Sequence, residues 1–109
     1  MGKPVAGEVV VVPLPQTDLT PGKRRPALVV ADLPGDDVIL CQITSQARTD
    51  GFEVPLCAGD FAQGRLQVDS YIRTHRLFTV DHSKILYSAA RVSGTKLGQV
   101  RAKIRALFA

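Results

Sequence analysis

A small, strongly curled sheet of five to seven short antiparallel strands, with one helix packed against it, is the fold class predicted by this 109-residue sequence. Three observations carry that prediction. The apolar segments are short and rich in β-branched residues, polar or Pro/Gly-containing loops separate them, and the only segment with clear helical spacing closes the chain. Because no helices stand between the strands, parallel βαβ units are disfavoured and a mainly β barrel with a terminal helix remains. The length suits a single hydrophobic core, so residues 1–109 are expected to form one domain.

The elements follow in order. V-V-V-V-P-L (9–14) is too short for a helix and reads as a strand, which Pro13 and Pro15 bring to an end. Residues 15–24, P-Q-T-D-L-T-P-G-K-R, form a predicted loop of about ten residues, longer than a hairpin requires, and such loops in small domains often carry function. A-L-V-V-A (27–31) is the second strand, L-P-G-D-D (33–37) a turn, and V-I-L-C-Q-I-T (38–44) the third strand. The polar loop S-Q-A-R-T-D-G (45–51) leads into F-E-V-P-L (52–56), and residues 57–65 have room for one helical turn. Q-V-D-S-Y-I-R (67–73) and R-L-F-T-V (76–80) read as two strands joined by a tight turn. Residues 85–92 fit either a strand or a helix, since Ile85, Leu86, Ala89 and Ala90 also share a helical face. From Thr95 to Phe108 the spacing predicts a helix with Leu97, Val100, Ile104, Leu107 and Phe108 on one side and the basic residues mostly opposite, capped by Ser93 or Thr95.

Composition bounds the function. The chain is 45% hydrophobic and 22% charged, ordinary for a soluble globular protein. No apolar run approaches the roughly 18–20 residues of a membrane helix, and the N-terminus lacks the apolar core of a signal peptide, so no membrane and a cytoplasmic location are expected. Cys41 and Cys57 lack metal-type spacing and read as reduced, partly buried thiols. Residues 1–81 hold eight Lys/Arg and ten Asp/Glu, whereas residues 82–109 hold six Lys/Arg and no acid. That basic tail suits a polyanion or an acidic partner protein, or else it is a solvated helix face.

The sequence has no P-loop, dinucleotide fingerprint or G-x-S-x-G elbow, and His75 and His82 are too sparse for a metal site. Polar residues at strand ends remain: Arg25, Thr44, Ser45, Arg73 and His75. Pro26 biases Arg25 towards an extended conformation at a strand entrance, where its planar fork matches phosphate oxygens. Lys23 and Arg24, in the preceding loop, would attract phosphates diffusely, although K-R-R alone also fits a solvated turn. Thr44 shares a strand face with Gln42 and Leu40, and its hydroxyl either donates to a phosphate or satisfies a turn. Arg73 and His75, two apart in an extended segment, pair a cation with a group that titrates near neutrality.

In this order, G-E-V-V-V-V (7–12), R-R-P-A-L-V-V, Q-I-T-S and I-R-T-H-R-L-F-T-V-D, followed by the terminal helix, resemble the MazF/PemK/Kid-type toxins of bacterial type II toxin–antitoxin systems. T-D and K-R-R-P in the first loop are closest to the PemK-like branch. The resemblance implies an SH3-like barrel acting as a homodimer, and a metal-independent, sequence-specific endoribonuclease that needs no cofactor and is neutralised by a cognate acidic antitoxin. It implies catalytic roles for Arg25, Thr44 and Arg73, with His75 where some relatives carry an aspartate proposed as base. Single-stranded RNA would then be held by Gln16, Thr17, Lys23 and Arg24 in the first loop, by Ser45, Gln46 and Arg48 in the second, and by Arg76. Two other readings stay open: a toxin of the same barrel type that binds a protein such as gyrase, as CcdB-like relatives do, and a non-catalytic nucleic-acid-binding barrel.

Overall fold

The computed structural model describes residues 2–14, 23–47 and 49–109. Seven strands run β1 Glu8–Leu14, β2 Lys23–Asp32, β3 Asp37–Thr44, β4 Glu53–Leu56, β5 Phe61–Gly64, β6 Ser70–Asp81 and β7 Tyr87–Val92, and the helix α1 spans Gly94–Ala106. They form one sheet in the order β4-β6-β3-β2-β1-β7-β5, with every pair antiparallel. A flat sheet would be roughly 10 Å thick. The molecule instead measures 32 × 31 × 29 Å, so the sheet curls tightly. No helix among the described residues is long and apolar enough to cross a membrane.

Alternation along the strands sends neighbouring residues to opposite faces. Val9, Leu28, Cys41, Ile43 and Ile72 join one buried cluster, on which α1 sets Val100, Leu97 and Ile104. Val10, Val12, Ala27, Val29, Val38 and Leu40 fill a second, closed by Ile85, Phe78 and Val80. A sheet buried on both faces needs continuous apolar runs, which V-V-V-V and A-L-V-V supply.

Several expectations need correction. Lys23 and Arg24 are not loop residues: they open β2, paired with Leu14 and Pro13 of β1, and both are exposed. Residues 70–81 form one strand rather than two joined by a turn. The polar R-T-H-R stretch is absorbed as a bulge, since Cys41 pairs with Leu77 while Ile43 pairs with Ile72. Gln42 alone therefore faces Arg73–Arg76. The single helical turn occurs at Ala58–Asp60, and β5 follows it unforeseen because F-A-Q-G has no alternation to read. Within residues 85–92, Tyr87–Val92 form strand β7 and no helix occurs.

The helix begins at Gly94, and Ser93 is the cap, its hydroxyl oxygen accepting from Lys96 N at 3.1 Å. Its basic residues are not all opposite the apolar face. Lys96 is only 9% exposed, and its Nζ donates to Pro55 O at 2.9 Å with Asp60 Oδ2 3.5 Å away. Arg101 donates through Nε and Nη2 to Val30 O, at 3.1 and 2.9 Å. Phe108, expected on the buried side, is 78% exposed beyond the last helical turn. Of the two free thiols Cys41 is buried and Cys57 is exposed.

Candidate active site

Two local features of the sheet open a cleft. Proline has no N–H to donate, so it interrupts a ladder. The β2–β3 pairing accordingly stops at Ala27 and Gln42, just before Pro26, while β2 continues to pair with β1 and β3 with β6. Carried two residues further, that register sets Arg25 across from Thr44, with the strand ends parted. On the other side of β3, the bulge at 73–76 interrupts its pairing with β6. Arg25, Gln42, Ile43, Thr44, Ser45, Gln46 and Arg73 line the resulting cleft of about 160 Å³.

Four of these share one sheet face. Arg25 falls in step with Ala27 and Val29, Gln42 and Thr44 with Leu40, and Arg73 opposite to Ile72. The Thr44 hydroxyl oxygen accepts from Gln46 N at 3.2 Å and still has an O–H to donate. Two guanidinium groups and a hydroxyl donor thus converge on a space with no carboxylate among the described residues that line it.

Arg73 is held from behind. Its Nη2 lies 3.3 Å from Asp50 Oδ2 and 3.5 Å from His75 Nε2. Arginine only donates, so His75 Nε2 is the acceptor in that contact and the ring proton is assigned to Nδ1. Arg73 Nε and His75 Nδ1 are buried and have no hydrogen-bond partner among the described residues. The His75 ring stacks on Phe52, centroids 4.5 Å apart at 33°. The bulge is supported from the core by Cys41, whose Sγ donates to Arg73 O at 2.8 Å. Burial pushes the Cys41 thiol up to about 12, so it keeps the proton it donates.

Asp50 was not singled out by the sequence. Its Oδ1 accepts from Phe52 N at 3.1 Å. That backbone hydrogen bond first, and the Arg73 guanidinium second, hold its carboxyl below the usual carboxylate range. T-D-G reads as a turn signal, and only the fold brings it to Arg73 from 23 residues away.

The remaining sequence candidates separate. Ser45 and Gln46 line the cleft, and His75 reaches it through Arg73. Arg76 is exposed and does not line it, and neither do Lys23 and Arg24. Strand alternation places Lys23 on the face of Arg25 and Arg24 on the opposite one. Gln16, Thr17 and Arg48 lie outside the described residues.

Fold and cleft together define a class: a small curled antiparallel sheet that presents an arginine-lined cleft where two central strands part. The family is given by the sequence itself, which matches the PemK-like, MazF-like toxins of type II toxin–antitoxin systems over residues 6–108, and the chain belongs to that family. Among solved structures it is similar to MazF (Form-I) from Deinococcus radiodurans, at 29% identity and a TM-score of 0.77, covering 99% of this chain and 98% of that one. A chain of the MazE–MazF complex (Form-II) from the same organism matches at 28% identity and a TM-score of 0.79, with 99% and 97% covered. The Mycobacterium tuberculosis toxin MazF-mt6, at 17% identity and a TM-score of 0.73, with 93% and 95% covered, shares the fold. No curated protein matches the sequence.

Proposed function

We propose that this toxin is an endoribonuclease that cuts single-stranded RNA by attack of a 2′-hydroxyl on the adjacent phosphate, and that a cognate acidic antitoxin neutralises it. The observation that supports this reading most is the convergence of Arg25, Thr44 and Arg73 on one cleft between parted strands.

RNA carries its own nucleophile. The enzyme must take a proton from the 2′-oxygen, hold the phosphate as the O2′–P bond forms and the P–O5′ bond breaks, and return a proton to the departing 5′-oxygen. Arg25 and Arg73 offset charge on the non-bridging oxygens with charge-assisted hydrogen bonds, and the Thr44 O–H adds a neutral donor. Arg25, Arg73 and His75 are the groups that would move these protons, His75 acting through the Arg73 N–H that its Nε2 accepts. The scheme uses no metal. A homodimer is part of the reading, as is recognition by the 15–24 and 45–51 segments. The Deinococcus radiodurans relative was crystallised as a MazE–MazF complex, which supports an antitoxin as partner.

The test is incubation of purified protein with structured and unstructured RNA in EDTA. Site-specific cuts are expected in the unstructured RNA, with kcat down about 10²–10³-fold in both Arg25→Ala and Thr44→Ala. Retention of RNA without cleavage sinks the ribonuclease reading, and the lack of any RNA interaction favours a protein target instead.

A further inference from the structure

Phe52 is 37% exposed, one of three exposed aromatic side chains with Tyr87 and Phe108, and the one that stands beside the cleft. Its backbone is pinned on both sides: Phe52 N donates to Asp50 Oδ1 at 3.1 Å, and its carbonyl accepts from Thr74 N at 3.1 Å and Thr74 Oγ1 at 2.5 Å. The ring leans on the His75 imidazole, which in turn touches Arg73 of the cleft. An exposed hydrophobic side chain thus stands one ring away from Arg73 of the cleft.

We infer that Phe52, backed by His75, is a stacking seat for one nucleobase of a single-stranded RNA whose phosphate lies in the Arg25/Thr44/Arg73 cleft. This rests on the ribonuclease reading above and adds a substrate subsite to it. An aromatic face beside cationic groups fits a ligand that carries a flat apolar ring and an anion one short linker apart, which describes a nucleotide. A base stacks on an aromatic ring whatever its identity. The seat therefore fixes the register of the strand and leaves discrimination between bases to edge contacts elsewhere. It also explains why the Phe52 backbone is tied to β6: a platform that swung away would lose the benefit of pre-organisation.

Because the chain has no tryptophan, Phe52→Trp places a single indole at the seat. The probe is an oligonucleotide of the mapped cleavage sequence, fully 2′-O-methylated so that no attack occurs. Saturable quenching of that indole is expected. Phe52→Leu, which keeps an apolar side chain, should bind the probe about 5- to 150-fold more weakly. Abasic replacement, one position at a time, should reveal one base whose removal weakens wild-type binding but costs nothing further in Phe52→Leu. A merely structural Phe52 gives no such coupling. Unchanged affinity in Phe52→Leu, undiminished abasic costs, or a loss confined to antitoxin capture overturns the seat while leaving cleavage by the wild type intact. Should Phe52→Leu not fold, an unquenched indole in Phe52→Trp overturns it equally. A wild type that neither binds nor cuts RNA takes down both readings together.

Discussion

Asp50 shows how much a single side chain depends on its surroundings. The Phe52 N–H and the Arg73 guanidinium keep it ionised, so it is a poor proton acceptor and a good clamp for Arg73. A carboxyl whose folded value is lowered stabilises the fold above the ordinary carboxylate range, and this contribution disappears as pH falls through the lowered value. The local order of the 50–52 turn should therefore survive at neutral pH and fade only in acid. Asp50→Asn keeps an acceptor for Phe52 N but loses the ion pair, and should lower kcat more than it raises KM, with a weakened acid dependence of the turn by NMR. Equal kcat in Asp50→Asn sinks the clamp. The two thiols give a simpler test. With its proton retained to about 12, buried Cys41 should resist iodoacetamide at pH 8, whereas exposed Cys57 reacts. Mass spectrometry should find one label on the native protein and two after denaturation.

At the scale of elements, β2 and β6 do most to make the cleft. Proline at position 26 was legible in the sequence as a constraint on Arg25, and it proves also to end the ladder with β3. R-T-H-R was misread as a turn, because local pattern cannot distinguish a turn from a bulge when both break the alternation. The difference matters chemically: a turn would have faced Arg73 and His75 away from β3, whereas the bulge brings Arg73 beside Gln42 and Thr44. Alternation along β2 also divides the two outer cations. Removing Lys23, on the face of Arg25, should reduce the slope of log affinity for single-stranded RNA against log salt by about 0.7, whereas Arg24→Ala should leave it nearly unchanged. Equal effects of the two variants contradict the face assignment. In α1, the basic stripe predicted as a partner surface is partly internal, since Lys96 and Arg101 are spent on backbone carbonyls of β4 and β2.

Cations and carboxylates are unevenly placed along β2. One end carries Lys23, Arg24, Arg25 and Arg73; the other gathers Asp32, Asp36, Asp37 and Asp81, with Asp37 and Asp81 directly paired across β3 and β6. Such an arrangement turns the cleft towards an approaching polyanion. Holding the cleft in shape falls to the core, where Leu28 is fully buried in the cluster beneath α1. Leu28→Ala should cost about 2–5 kcal/mol in urea unfolding, and a value near zero rules out tight packing at that point.

The sequence by itself determined the mainly β class, the terminal helix and most strand positions, and it singled out Arg25, Thr44, Arg73 and His75 as candidates, because alternation, proline and helical spacing are local signals. Tertiary structure alone decided that Lys96 and Arg101 face inward, that Arg73 meets Asp50, and that Phe52 stands exposed against His75. Those facts depend on register between strands far apart in the chain. A bulge of a few residues changes register, and no short stretch of sequence records which strand will lie opposite it.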